Sequence, residues 1–328
     1  MMTNETLKNT LAAIRRKIHQ YPELGNNEYR TTELIAKALK SAGIEVKRQT
    51  KTGLIGILQG GRAPGKSKCI ALRADIDALP IQEKTGVAYA SQRPGIMHAC
   101  GHDANTAMVL GAALLLSCNK NDLPGTVKFI FQPNEETSGG ARMMIGSGAL
   151  RSPQVDAIVG VHVNPWLPAG TMGLKRGEMM AAVDNFTIEV SGEGGHGAYP
   201  HLGKDAIVVA SQIVLALQTI VAREIDPVDP AVITVGTISG GEASNILATR
   251  VKMTGTVRTL NEKLHQSVPR LIEKKVAAIA KAYGASCTFN YETIGYPLRN
   301  SDKMVDLCRD TGEELLGRSR VKMLEKPS

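Results

Sequence analysis

Ile70-Ala71-Leu72-Arg73-Ala74-Asp75-Ile76-Asp77 opens as a short apolar strand and ends on two aspartates. A buried strand that delivers carboxylates at its carboxyl end is a unit of an α/β sheet whose chemistry lies at the strand tips. Outward from it, residues 5–20 and 28–42 carry helical patterning, and Gly43 stands where a C′ glycine stops the second helix. Residues 104–117 place Met108, Leu110, Leu114 and Leu115 on one broad helical face, and 126–131 and 157–163 read as strands. Strands alternating with helices predict βαβ units and a mainly parallel sheet.

Near residue 183 the texture changes. Phe186-Thr187-Ile188-Glu189-Val190 alternates as a half-buried strand, and a long helix is expected over 204–223. Strands follow at 231–238 and 250–258, then a helix at 262–283 and a strand at 286–291. This β-α-β-β-α-β order is a split βαβ unit. After Pro297 a further helix is expected over 301–316. The chain therefore divides into residues 1–183 and 296–328 of a discontinuous larger domain, with 184–295 inserted between them.

The 328 residues are about twice a usual domain, in keeping with that division. Hydrophobic residues at 43% and charged residues at 21% exclude a disordered chain. Charged residues interrupt the best apolar stretches before about 20 residues, so no membrane span is expected. The polar start, Met1-Met2-Thr3-Asn4-Glu5, lacks the apolar core of a secretory signal. Five scattered cysteines without a Cys-x-x-Cys argue for a reducing compartment, the cytoplasm. The net charge of +8 comes from scattered clusters such as Arg15-Arg16-Lys17 and Lys274-Lys275, and four Phe and one Trp leave little for base stacking, so nucleic acid is not an expected partner.

Three strand ends converge in chemistry. The first leads to Asp75 and Asp77, the second to Gln132-Pro133-Asn134-Glu135-Glu136, the third to His162. His98-Ala99-Cys100-Gly101-His102-Asp103 precedes a helix, where a cysteine pKa is depressed. Thiolate, imidazole and carboxylate together suit zinc, manganese, cobalt or nickel better than magnesium or calcium. Singly, each group has a plainer reading as a buried thiol, a solvated carboxylate pair or a core histidine. Their convergence on one sheet edge favours the metal reading. Gly192-Glu193-Gly194-Gly195-His196-Gly197 fits G-x-G-x-x-G, but Pro200 interrupts the helix a dinucleotide site needs, and the loop is read instead as presenting His196.

Arg15-Arg16-x-Ile18-His19-x-x-Pro22-Glu23-Leu24, the stretch from Ala71 to Pro80, and Met97 to Asp103 resemble the M20 metallopeptidases, in the branch of hippurate hydrolases, N-acyl-amino-acid amidohydrolases and auxin-conjugate hydrolases. Phe131 to Glu136, Gly194 to His201, Gly240-Gly241-x-Ala243-x-Asn245-Ile246 and Gly255-Thr256-Val257-Arg258 continue the resemblance in order. It implies a zinc-peptidase α/β domain with an inserted lid that mediates homodimerisation. It also implies two divalent ions held by Cys100, His102, Glu136 and His162, with Glu135 as general base and acid. His196 would reach the active site of a partner subunit and stabilise the oxyanion. Asn245 and Arg258 would hold the substrate carboxylate or nearby backbone, Asp75 and Asp77 would support the ions, and His98 would stand behind the ligands. The implied reaction cleaves the amide of an N-acyl amino acid, hippurate-like or acetylated.

The sequence departs from the family pattern in three places. Asn134 stands where Ala is usual and Asn105 where many members have His. The chain ends at Ser328, where relatives continue to a His-x-Pro motif that supplies a last metal ligand; His265, expected on a helix surface, is a poor substitute. The alternative expectation is therefore a catalytically impaired homologue that serves as a binding or dimerising protein.

Overall fold

The computed structural model describes residues 4–62, 67–137 and 139–325, so the polar start at Met1–Thr3 and the last tail residues, Lys326–Ser328, lie outside the described residues. The chain forms two compact units, Met1–Trp166 and Leu167–Ser328.

The first unit runs α1 (Asn4–Gln20), α2 (Tyr29–Ser41), β1 (Glu45–Arg48), β2 (Leu54–Gln59), β3 (Cys69–Asp75), α3 (His102–Cys118), β4 (Thr126–Gln132), α4 (Gly140–Gly146) and β5 (Ala157–Gly160). The sheet order is β1-β2-β4-β3-β5. β3 lies parallel to β4 and β5, whereas β2 is antiparallel to both β1 and β4. The sheet is thus mixed rather than mainly parallel. The connection between β1 and β2 closes with Gln49 N–H donating to Gly53 O at 2.9 Å, and so short a link can join only antiparallel neighbours.

Alternation along the central strands sorts side chains to two faces. Phe129 and Phe131 of β4 join Ile35 and Leu39 of α2 and Val109, Leu110 and Ala113 of α3 in one buried cluster. Ile130 of β4 joins Ile55, Ile57 and Ala71 on the other face, with Met144 of α4 and Ala149. β5 stops at Gly160, earlier than the expected 163, which leaves His162 in the loop beyond the strand tip.

The second unit runs β6 (Met172–Leu174), β7 (Gly177–Met180), β8 (Val183–Ser191), α5 (Ala206–Thr219), β9 (Ala231–Gly240), β10 (Arg250–Thr259), α6 (Glu262–Ala282), β11 (Ser286–Gly295), β12 (Leu298–Asn300), α7 (Asp302–Leu316) and β13 (Val321–Met323). From β8 to β11 the elements follow the β-α-β-β-α-β order read from the sequence. They form an antiparallel sheet ordered β11-β8-β10-β9. Val209, Ile213 and Leu217 of α5 and Val268, Ile272 and Val276 of α6 pack with Phe186, Val190, Val251 and Met253 of that sheet. Residues after the sheet pair with residues just before it, β12 with β7 and β13 with β6.

Two expectations need correction here. Ala206–Glu224 is long and apolar enough to cross a membrane by length and composition, although no such stretch was expected. It starts as a capped helix, the Asp205 carboxylate accepting from Ile207 N–H at 2.8 Å, and one face packs into the core just described. His265 is not on a surface. It is 5% exposed on α6, its Nε2 lies 3.1 Å from Asp184 Oδ1, and the Tyr296 ring stands edge-on to it at 5.6 Å. Buried Leu264, His265, Val268 and Ile272 share the inward stripe of a 3.6-residue period, which places 265 with the core positions.

Candidate metal centre

The centre is assembled from the carboxyl tips of β3, β4 and β5 and the amino end of α3. Gly101 caps α3 with φ +83°, a left-handed conformation that costs an L side chain about 1 kcal/mol or more. A Cβ at Gly101 would also stand 2.3 Å from the Val163 side chain. Glycine between Cys100 and His102 therefore lets the chain turn tightly enough, and the β5 loop approach closely enough, for Cys100 and His102 to meet His162.

They do meet. One ligand atom each from Cys100, His102 and His162 falls within a 4.8 Å group, as does one each from His102, Glu135 and Glu136. His102 belongs to both groups, so the clusters are contiguous. Cys100 Sγ lies 3.4 Å from His162 Nε2, and His102 Nε2 lies 3.7 Å from Glu136 Oε1 and 4.0 Å from Glu135 Oε2.

Each imidazole is oriented from behind. His102 Nδ1 lies 2.9 Å from the carbonyl of Asp77, and His162 Nδ1 lies 2.7 Å from the carbonyl of Val163. A carbonyl can only accept, so Nδ1 carries the proton in both rings and Nε2 faces the cluster. The Asp77 carboxylate also lies 3.3 Å from His102 Nδ1 and accepts the backbone N–H of Glu136 at 3.0 Å. Asn105 links two more segments: its Nδ2 donates to Asp75 Oδ1 at 2.8 Å and its Oδ1 accepts from Val163 N–H at 2.9 Å. The asparagine that departs from the family pattern thus makes one bond in each direction.

The electrostatics are those of a site built for positive charge. Burial works against a charged His102, yet the Asp77 and Cys100 side chains and Asp75 hold its pKa up at about 11. His162 is raised to about 9, mainly by Cys100, while hydrogen bonds from His102 and His162 pull the Cys100 thiol below its usual value. Burial pushes the Glu135 carboxyl up, and the charges of Asp75 and Glu136 add to this against His102 and Arg73. Among the described residues, His102 Nε2 and Glu136 Oε1 are buried without hydrogen-bond partners. Buried polar atoms are ordinarily paired, and a cation that displaces the His102 proton would meet Nε2 and the Glu136 carboxylate as a soft-to-borderline donor set suited to a transition metal.

Behind this layer lies a second buried network, of which the sequence reading had expected only His98. His19 Nδ1 and Arg15 Nε approach Asp103 Oδ2 at 2.8 and 2.6 Å, and His19 Nε2 lies 3.2 Å from Glu83 Oε1. His98 is buried 6.4 Å from the His19 ring, and burial lowers its pKa to about 4, which keeps it neutral. The His19 motif was visible in the sequence, but nothing there marked Glu83 as its partner.

Residues 71–328 match the peptidase family M20/M25/M40. The chain belongs to this family. It is 44% identical over 310 residues to an N-acetyl-L-cysteine deacetylase of Bacillus subtilis, covering 94% of this chain and 73% of the relative. It is 42% identical over 301 residues to an N-acyl-L-amino acid amidohydrolase of Geobacillus stearothermophilus, covering 91% and 80%. Among solved structures, a dinuclear metal-binding peptidase of the M20 family from Bacillus subtilis superposes with a TM-score of 0.84 at 35% identity, covering 99% of this chain and 84% of that one.

The remaining predicted residues of this M20 chain lie in the second unit. His196 and Asn245 are exposed on neighbouring loops, bridged where Gly197 N–H donates to Asn245 O at 2.7 Å and where His196 pairs with Ile246. Arg258 lies near the opposite end of β10 from that loop pair. Eight residues separate it from Arg250, or about 26 Å of extended strand. Within one chain, Arg258 therefore does not join His196 and Asn245. The glycine-rich loop is followed by a short turn at Pro200–Leu202 and only then by α5, so it lacks the immediate helix start of a dinucleotide site.

Proposed function

We propose that this chain hydrolyses the amide bond of N-acyl amino acids, with Cys100, His102, Glu136 and His162 holding two divalent ions and Glu135 moving the proton. The chain is a metal-dependent amidohydrolase of the M20 family. The single observation that carries the reading is the pair of contiguous clusters sharing His102, with Glu135 at their edge. Relatives named for deacetylation and N-acyl amino acid hydrolysis support the substrate class.

Divalent ions would supply Lewis acidity, polarising the scissile carbonyl and making water a nucleophile near neutral pH. Glu136 and the two imidazoles, with Nε2 preset by the Asp77 and Val163 carbonyls, hold that charge in place. Glu135, half-buried and with its pKa raised by burial, takes a proton from water and returns it to the amine, which is a poor leaving group until protonated. His196 and Asn245, neighbours on one loop pair, act from a partner subunit, His196 stabilising the oxyanion and Asn245 reaching the substrate backbone, while Arg258 meets the substrate carboxylate from the other chain. Arg258 offers a planar guanidinium that pairs with a carboxylate in two-point fashion. Residues 184–295 act as the inserted lid and dimerisation domain.

Glu135→Gln tests the reading. It removes only the titrating oxygen, so bound metal should match the unaltered chain while kcat on acetyl-, benzoyl- or succinyl-amino acids falls about 10²–10⁴-fold. Near-unaltered turnover in that variant would remove Glu135 from the mechanism.

A further inference from the structure

The turn that carries Glu135 and Glu136 is gripped at two points by buried carboxylates. Asp77 takes the N–H of Glu136 at 3.0 Å. The other grip comes from the far side of the sequence: Glu28 Oε1 accepts the N–H of Asn134 at 2.8 Å, across 106 residues. Glu28 is fully buried just before α2, and its own carbonyl is fixed by Thr32, whose N–H donates at 2.9 Å and whose Oγ1 donates at 2.6 Å. The Thr32 hydroxyl lies equally near the Thr52 carbonyl, at 2.6 Å, and its single proton serves one of the two carbonyls at a time, the Thr32 N–H holding the Glu28 carbonyl in either case. The carboxylate is therefore held on a rigid base.

What it holds is strained. Asn134 has φ +52°, a left-handed conformation that is uncommon for a residue other than glycine. There is no room for the turn to shift on the side facing Gly25, where an added Cβ would lie 2.0 Å from Asn134 Oδ1. A left-handed residue persists only where its surroundings over-determine it. Asn134 immediately precedes the Glu135–Glu136 pair, so its backbone angle sets the direction in which both carboxylates leave the strand tip.

We infer that Glu28 is a positioning residue for the Glu135–Glu136 turn, acting through the Asn134 N–H to hold Glu135 within reach of the reacting water. The inference rests on the hydrolase reading above and names a residue outside the ligand set that the reaction depends on. Removing the grip leaves Glu136 held through its own N–H by Asp77 at 3.0 Å but lets the general base wander, and about 1 Å of misplacement can cost about 10²-fold in rate.

Two conservative variants separate reach from charge. Glu28→Gln keeps an oxygen at the same distance; Glu28→Asp keeps the charge but withdraws it by one methylene. The measurements are kcat and KM on an N-acetyl amino acid, bound metal per chain, and amide hydrogen exchange at Asn134. Glu28→Gln should stay within about 3-fold of the unaltered kcat, with slow exchange at Asn134. Glu28→Asp should lose about 10- to 100-fold in kcat with KM and metal content unchanged, and exchange at Asn134 should speed up. Equal kcat in the two variants, or a loss in Glu28→Asp that follows metal content instead of exchange, would overturn the inference. If the unaltered chain turns over none of these substrates, the hydrolase reading fails by itself. Exchange at Asn134 then still decides the grip, which is refuted if Glu28→Asp exchanges as slowly as Glu28→Gln.

Discussion

Cys100, His102 and His162 were legible because their chemistry is carried by residue type and by place at strand or helix ends. Their partners were not. Asp77 could be seen as a carboxylate near the site, but its carbonyl as the orienting group for His102 could not, since any residue has a carbonyl. Glu28, Glu83 and Asn105 act across 106, 64 and 30 residues respectively, separations at which a single sequence holds no pairing signal. The buried His19 pair makes a pH-dependent prediction. Its hydrogen bond to Asp103 raises the His19 pKa above 6.5 against the cost of burial. A group raised on folding stabilises the protein fully below its unfolded pKa and loses that contribution as pH rises through the folded value. The stability gap between the unaltered chain and His19→Gln, read by urea unfolding, should thus be larger at about pH 6 than at about pH 9. A gap that widens with pH would mean that His19 is neutral in the folded state.

Elements that repeat a clear period were legible to within a few residues at most of their ends, as the six from β8 to β11 show. Those missed are short or lack a period. Leu54-Ile55-Gly56-Ile57-Leu58 in β2 is apolar throughout because both of its faces are covered, so it shows no alternation, and β6, β7, β12 and β13 have three or four residues each. The sheet's hand of pairing followed from the unseen β1–β2 link. A buried lysine inside β4 also ran against expectation for a central strand. Lys128 is fully buried, and its Nζ donates to the carbonyls of Ala149, Arg151 and Pro153 at 3.0, 2.8 and 2.9 Å. Its three donors meet three acceptors, so the ammonium ties the segment after α4 to the sheet. Lys128→Met keeps the length but strands the carbonyls, and should lower unfolding free energy by about 2–4 kcal/mol in denaturant titration. A change below about 0.5 kcal/mol would show that water satisfies those carbonyls equally well.

For the molecule as a whole, the second unit leaves a sheet edge unpaired among the described residues. β9 is the outer strand of its sheet and ten residues long, with Val232 and Ile238 about half exposed, and α5 shows Ile207, Val208 and Leu215 on its outer face. A long apolar edge strand is an association site unless it is blocked. The proposed homodimer through 184–295 predicts a particle of twice the chain mass in sedimentation at micromolar concentration. Ile238→Lys should shift it toward the monomer without lowering its melting temperature, and a monomer in the unaltered chain would remove this interface.

Five side chains from three segments, Cys100 and His102, Glu135 and Glu136, and His162, form one cation site, and metal content measures that directly. The purified chain, equilibrated with zinc or manganese and freed of excess, should hold two ions per chain by elemental analysis, and the double variant Cys100→Ala, His162→Ala should hold one or none. An unaltered chain with no tightly held metal, or a double variant that keeps the full complement, would contradict it.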